Sequence, residues 1–227
     1  MTISDNLRTI GQHIREAETR YQRPSGSVQL LAVSKRHSAN AIREAITTGQ
    51  TAFGENYAQE MLEKAEELAA ENIEWHFIGP IQSNKTRQIA ATAQWVHTVD
   101  RLKIARRLSE QKPEHKADIN ICLQVNISNE DSKSGITPEA LPELAMQIAE
   151  LPGLKLRGLM AIPAIATEFT QQREVFARLR QLQEKLVEQG LPLDTLSMGM
   201  TGDMEAAIAE GATIVRIGTA IFGQRDT

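Results

Sequence analysis

Eight short apolar runs, each but the last followed by an amphipathic helical stretch, constrain this chain more than any other feature of its sequence. The first run is Val28-Gln29-Leu30-Leu31-Ala32-Val33, and Ser38 caps a helical stretch behind it whose inner face is Ala41, Ile42, Ala45 and Ile46. Strand candidates follow at Thr51 to Phe53, Glu74 to Ile78, Trp95 to Val99, the alternating segment 118–127, Leu154 to Met160, Leu193 to Met198 and Thr213 to Ile217. Between them lie helical faces such as Met61, Leu62, Ala65, Leu68 and Ala69. The longest helix is expected from Glu168 to Gln189, with Phe176, Leu179, Leu182 and Leu186 inward. The stretch opening at Thr137-Pro138 has an uncertain start, because Pro142 would break a first-turn hydrogen bond. Strands alternating with helices require a parallel sheet, and eight of them favour a closed (β/α)8 TIM barrel. No strand is followed by Gly-x-Gly-x-x-Gly, which disfavours a doubly wound dinucleotide fold. A further helix precedes the first strand, with Ile3, Leu7, Ile10, Ile14 and Ala17 in one stripe and a Thr2/Asp5 capping box. Residues 1–22 are therefore expected outside the barrel. With no Gly/Ser/Pro-rich linker, residues 1–227 read as one domain.

Composition narrows the function classes. Aromatics are 4% of residues and the net charge is −4, so neither a base-stacking platform nor a basic field points to nucleic acid or to an anionic membrane surface. The lone cysteine, Cys122, excludes an intrachain disulfide and fits a reducing compartment. The N-terminus lacks the pattern of a secretory signal, and no run approaches the ~18 apolar residues of a membrane span. A cytoplasmic protein is expected.

In a barrel, function gathers at the C-terminal ends of the strands. After the first strand stands Ser34-Lys35-Arg36, after the seventh Gly199-Met200-Thr201-Gly202-Asp203, and after the eighth Gly218-Thr219-Ala220. The loops after strands seven and eight often hold phosphate in such folds, and Thr219 to Phe222 fits the short extra helix of that arrangement. Lys35 ends an apolar strand and should point into the barrel mouth, where desolvation favours a neutral, nucleophilic amine. Phosphate site and lysine together suggest either an aldolase-type carbonyl substrate or bound pyridoxal phosphate.

These residues also carry a resemblance. Ala32-Val33-Ser34-Lys35, Phe53-Gly54-Glu55-Asn56-Tyr57, His76-Phe77-Ile78-Gly79-Pro80, Gln82-Ser83-Asn84-Lys85, Ser132-Lys133-Ser134-Gly135, Gly158-Leu159-Met160, Leu196-Ser197-Met198-Gly199-Met200 and the run Val215 to Gly223 occur in order along nearly the whole chain. The set resembles the pyridoxal-phosphate homeostasis protein family. The resemblance implies a fold-type III barrel like the N-terminal domain of alanine racemase, with pyridoxal 5'-phosphate as cofactor. It implies that Lys35 holds the cofactor as a Schiff base, that Arg216 faces the pyridine nitrogen, and that Asn56 contacts the cofactor. It further implies that Thr201, Gly218 and Thr219 hold the phosphate, with Met200 beside them. Thr201 stands where the family usually has Ser, which keeps the hydroxyl and adds a methyl.

The family has no agreed reaction and is regarded as balancing intracellular pools of pyridoxal phosphate and amino acids. A holding role without turnover is expected on two grounds. The chain ends at Thr227 just after the eighth strand and its short helix, without the second domain that supplies a catalytic tyrosine in alanine racemase; a monomer is expected for the same reason. A cationic Arg216 would also disfavour protonation of the ring nitrogen and weaken the electron sink. The alternatives are a racemase-like enzyme acting on amino acids and a cofactor-free lysine aldolase. Apo pyridoxal-phosphate enzymes are the partners such a carrier would serve. His13, His37, His76, His97 and His115 look scattered, without metal-ligand spacing, and Cys122 reads as a small core residue. Arg101, Lys103, Arg106 and Arg107 read as a solvated face rather than a docking patch. Lys133 reads as a surface residue or as a second acceptor for an aldehyde passed on from Lys35.

Overall fold

In a computed structural model, which describes residues 2–128 and 134–223, eight parallel strands close into a barrel in sequential order. The strands are β1 (Gln29–Val33), β2 (Ala52–Glu55), β3 (Glu74–Phe77), β4 (Trp95–Val99), β5 (Ile119–Gln124), β6 (Leu154–Met160), β7 (Thr195–Ser197) and β8 (Ile214–Ile217). The helices are α1 (Ile3–Arg20), α2 (Ala39–Ile46), α3 (Ala58–Glu67), α4 (Thr86–Thr92), α5 (Leu102–Gln111), α6 (Leu141–Ala149), α7 (Phe169–Glu188), α8 (Met204–Ala209) and α9 (Thr219–Phe222). Pairing of β1 with β8, Leu31 opposite Arg216 and Ala32 opposite Ile217, closes the ring.

Each strand is covered on both faces, which is why runs such as Leu30-Leu31-Ala32-Val33 are continuously apolar, whereas strands that send polar side chains into the lumen, such as Glu74-Trp75-His76-Phe77, alternate. Side chains such as Phe53, Phe77, Val96, Ile121, Leu123, Leu159 and Val215 point outward and form one core with the helices. Leu31, Ala52, Trp95, Cys122, Met160 and Ile214 form a separate, smaller cluster inside the barrel. The rest of the lumen is polar: His76, His97, Ser197 and Arg216 are all buried.

Helix α1 begins as expected. Thr2 Oγ1 accepts the Asp5 N–H at 3.1 Å, and the Asp5 carboxylate accepts the Thr2 N–H at 3.2 Å. Leu7, Ile10, Ile14 and Ala17 are buried, and Asn6 Nδ2 donates to Ile221 O at 2.8 Å, tying α1 to α9. The buried Glu18 carboxylate accepts the N–H groups of Gly26 and Val28 at 3.0 and 2.9 Å and so fixes the entry into β1. Two expectations change. Pro142 does not disturb α6, because the helix begins at Leu141 and places the proline in its first turn, where no intrahelical donor is needed. Strand β2 continues to Glu55, so that Gly54 and Glu55 belong to the barrel wall rather than to the loop behind it.

Candidate functional site

The expected residues meet at the C-terminal mouth of the barrel. Lys35, Asn56, Met200, Thr201, Arg216, Gly218 and Thr219 all line one cavity of about 260 Å³, together with Val33, His37, Ile78 and Ile162. Four strand ends and the first residues of α9 therefore deliver an amine, a guanidinium, a carboxamide and two hydroxyls to a common space. That volume is of the order of a small-ligand pocket.

Arg216 is the most enclosed of the seven, at 4% exposure. Its Nη1 donates to Ser197 Oγ at 2.9 Å and its Nη2 to the Ala161 carbonyl at 2.9 Å. Burial brings its pKa down to about 10, countered by the Asp203 carboxylate, so it remains a cation at neutral pH. Asn56 follows β2, and its Oδ1 is buried without a hydrogen-bond partner among the described residues. Its backbone is held against Gly79: a Cβ on Gly79 would lie 2.0 Å from the Asn56 carbonyl oxygen, so only glycine fits there. The 199–203 turn is shaped by Gly199 at φ +95° and by the Asp203 carboxylate, which accepts the Met200 N–H at 2.6 Å. Gly218 precedes the first turn of α9, where backbone N–H groups lack intrahelical acceptors.

Lys35 sits between two pinned residues. Ser34, fully buried, donates from Oγ to Glu55 Oε1 at 2.7 Å. Arg36 adopts a left-handed φ of +62°, and its N–H donates to Glu60 Oε1. Lys64 of α3 joins the two sides: its Nζ donates to Ser34 O at 2.8 Å, Glu55 Oε1 at 2.6 Å and Glu60 Oε1 at 2.7 Å. Burial pushes the Glu55 carboxyl up, against the pull of Lys64 and Ser34.

The sequence reading missed this cluster and also misjudged two histidines. His76 and His97 are not scattered: His76 Nδ1 lies 2.9 Å from His97 Nε2 inside the barrel. Both are buried, which pushes their pKa values down. Strand parity was the available signal. In Glu74-Trp75-His76-Phe77 the apolar 75 and 77 take the helix-facing side, which leaves 74 and 76 for the lumen. For Lys64 the signal was its place on the apolar stripe of Met61, Ala65 and Leu68. The cationic patch on α5 is only partly free: Arg101 donates to Ile81 O at 3.1 Å and Arg107 to Ser83 O at 2.9 Å, bracing the loop after β3. Cys122 is buried, and burial pushes its thiol up to about 12, as suits a core residue. Lys133 lies outside the described residues. No helix among them is long and apolar enough to cross a membrane.

The fold sets the class: a closed parallel (β/α)8 barrel whose C-terminal mouth gathers a lysine after β1, an arginine on β8 and hydroxyls after β7 and β8. Residues 5–226 match the family model "Alanine racemase, N-terminal domain". Over 225 residues the chain is 58% identical to the pyridoxal phosphate homeostasis protein of Pseudomonas aeruginosa, covering 99% of this chain and 96% of that one. It is 52% identical to the protein of the same name from Escherichia coli K12, over 99% of this chain and 97% of that one. The structure of PipY from Synechococcus elongatus PCC7942 with PLP bound is 37% identical, with a TM-score of 0.85 over 98% of this chain and all of that one. Alanine racemase from Corynebacterium glutamicum shares the fold at 16% identity and a TM-score of 0.70; the match covers 62% of its length. The chain belongs to the pyridoxal phosphate homeostasis protein family.

Proposed function

We propose that this chain binds pyridoxal 5'-phosphate at the barrel mouth and serves its intracellular homeostasis, holding the cofactor without sustained turnover. The observation that carries this reading is the convergence of seven residues on one cavity with the donor set that this ligand requires. The fit is chemical. A dianionic phosphate suits the hydroxyls of Thr201 and Thr219 and the N–H groups at Gly218 and Thr219. A ring nitrogen suits the donor-only guanidinium of Arg216, and the unpartnered Asn56 Oδ1 is available to a ligand hydroxyl. Met200 and Ile162 supply apolar walls. When bound, pyridoxal phosphate supplies an aldehyde that a lysine amine captures covalently, and Lys35 is the lysine that lines the cavity.

Restraint of chemistry follows from this chain's own residues. Arg216 is a cation at neutral pH and disfavours a proton on any nitrogen it faces. Neither tyrosine lines the cavity: Tyr21 OH donates to Glu205, and Tyr57 is half exposed on the rim. One observation keeps a racemase-like reading in play. His37 lines the cavity alongside Lys35, a second side chain there able to take up or release a proton. Residues 1–227 acting as one unit, a monomeric state and delivery to apo-enzymes belong to the same proposal.

The test is spectroscopic. The purified protein should absorb visible light when loaded, and borohydride should fix the cofactor on the peptide containing Lys35. Lys35→Ala should show neither; a reduced adduct on another lysine would refute the assignment. Deuterium uptake into alanine, followed by NMR, separates the two readings. Rapid uptake by the wild type that is lost in His37→Gln would favour the racemase-like one.

A further inference from the structure

Through the barrel lumen runs a line of polar side chains that ends on Arg216. Glu74 Oε1 is 2.8 Å from His76 Nε2, His76 Nδ1 is 2.9 Å from His97 Nε2, and His97 Nδ1 is 2.7 Å from Ser197 Oγ. Ser197 Oγ is in turn 2.9 Å from Arg216 Nη1. Four strands contribute, β3, β4, β7 and β8, so the line crosses the barrel instead of following one strand.

The carboxylate end fixes every proton between two neutral imidazoles. A guanidinium can only donate, so Ser197 accepts from Arg216, but serine keeps a second lone pair and the order is set from the other end. Glu74, a carboxylate that only accepts when ionised, takes the proton of His76 Nε2, which leaves His76 Nδ1 bare. His97 then carries its proton on Nε2 and donates it to His76 Nδ1. Its own bare Nδ1 takes the hydroxyl proton of Ser197. The end is secure: the His76 hydrogen bond brings the Glu74 pKa down to about 2. No other proton arrangement of two neutral imidazoles satisfies both ends. His76 is also stacked on Trp95, with ring centroids 5.5 Å apart and planes 2° apart, which fixes its ring orientation.

Two imidazoles in a lumen lined by Leu31, Trp95 and Met160 are costly to bury unless each ring nitrogen is paired, and apolar side chains would fill the same space. What the polar line adds is direction. We propose that Glu74, His76, His97 and Ser197 are positioning residues that hold Arg216 through a one-way hydrogen-bond chain from the opposite end of the barrel. With Ala161 O as second anchor, two of the five guanidinium N–H bonds are committed, one on each terminal nitrogen, and the side chain still lines the cavity. A flexible cation thereby becomes a fixed donor. This role rests on the reading that the cavity takes pyridoxal phosphate, with Arg216 as its ring-nitrogen partner.

The decisive measurement is long-range 15N–1H NMR of the imidazoles in the cofactor-free protein. His76 and His97 are expected as neutral Nε2–H tautomers. A proton on Nδ1 of either, or a cationic ring at neutral pH, overturns the chain. Since no cofactor is present, this result is independent of what the cavity binds. Ser197→Ala then cuts the chain at a small side chain. Retention of pyridoxal phosphate should weaken roughly ten- to hundredfold, the value for a hydrogen bond to a charged group. The absorption maximum of the bound cofactor should shift, while His76 and His97 keep the Nε2–H tautomers that Glu74 sets. Ser197→Thr, which keeps the hydroxyl, should restore affinity and absorption maximum. From the far end, Glu74→Leu should mix the tautomers of both histidines without touching the cavity. A folded Ser197→Ala protein with unchanged affinity and spectrum would show that the chain does not position Arg216.

Discussion

The two basic side chains of the cavity are braced in opposite ways. Around Lys35 the support is ionic and local: Lys64, Glu55 and Glu60 clamp the residues on either side, and Glu55 Oε2 remains buried without a partner among the described residues. Around Arg216 the support is a chain of neutral groups with every imidazole nitrogen paired; the chain ends on the Glu74 carboxylate at the far end of the lumen, while the charge that offsets the burial of Arg216 is that of Asp203. The contrast suits the roles proposed for the two side chains. A lysine that reacts needs a rigid backbone and a mobile amine, so its neighbours are pinned. An arginine that only donates needs its head group fixed, so the head group itself is bonded.

If the ionic clamp is real, Lys64→Met should have the largest effect on folding. It leaves the fully buried Glu55 without its counter-charge, and breaking a buried pair on one side typically costs about 3–5 kcal/mol. Urea unfolding should show that loss, and adding Glu55→Met should recover much of it by removing the stranded charge. A Lys64→Met protein as stable as wild type would mean that the cluster does not brace the Lys35 loop.

The neutral chain predicts an acid sensitivity that the ionic clamp does not. Burial lowers the pKa of His76 and of His97 below 6.5, so the unfolded chain takes up protons first as the pH falls. Their contribution is complete above pH 6.5 and is lost on acidification at about 1.4 kcal/mol per pH unit for each histidine. Glu55, whose pKa is raised, works in the opposite sense below neutrality, so the net slope should be smaller than for two protons. Thermal unfolding between pH 7.5 and 5.5 should show the onset near 6.5, well before Glu74, with a pKa of about 2, begins to titrate. A flat profile over that range would mean the histidines are not held neutral.

Much of the cavity was legible because its residues follow strand ends, and strand ends are visible as places where apolar runs stop. Lys35, Thr201, Gly218 and Thr219 stand at such boundaries, and the short α9 was expected over the residues it occupies. The bracing was harder to read. Glu55 looked like a loop residue because β2 ends two residues later than its apolar run. His76, His97 and Ser197 are 21 and 100 residues apart in sequence and meet only because the register of a closed barrel aligns their strands. Strand parity could have sent each of them inward, but it could not have paired them.

The phosphate corner offers a third kind of support and the smallest expected effect. Thr201 and Thr219 are exposed, unlike Arg216, and the turn carrying Thr201 is held mainly by the Asp203 carboxylate on the Met200 N–H. A hydroxyl in contact with water gives up little when it exchanges solvent for a ligand, so a neutral hydrogen bond there is worth about 0.5–1.5 kcal/mol. Thr201→Val should therefore weaken retention of pyridoxal phosphate by roughly two- to tenfold. Thr201→Ser should stay near wild type, since it keeps the oxygen. The backbone donors at Gly218 and Thr219 survive either change, so both variants should still prefer pyridoxal phosphate over pyridoxal. Equilibrium dialysis with the two vitamers measures both quantities. A loss for Thr201→Val as large as that expected for Ser197→Ala would place the phosphate corner among the rigidly braced parts of the cavity. Equal affinity of the wild type for both vitamers would remove the phosphate from the site altogether.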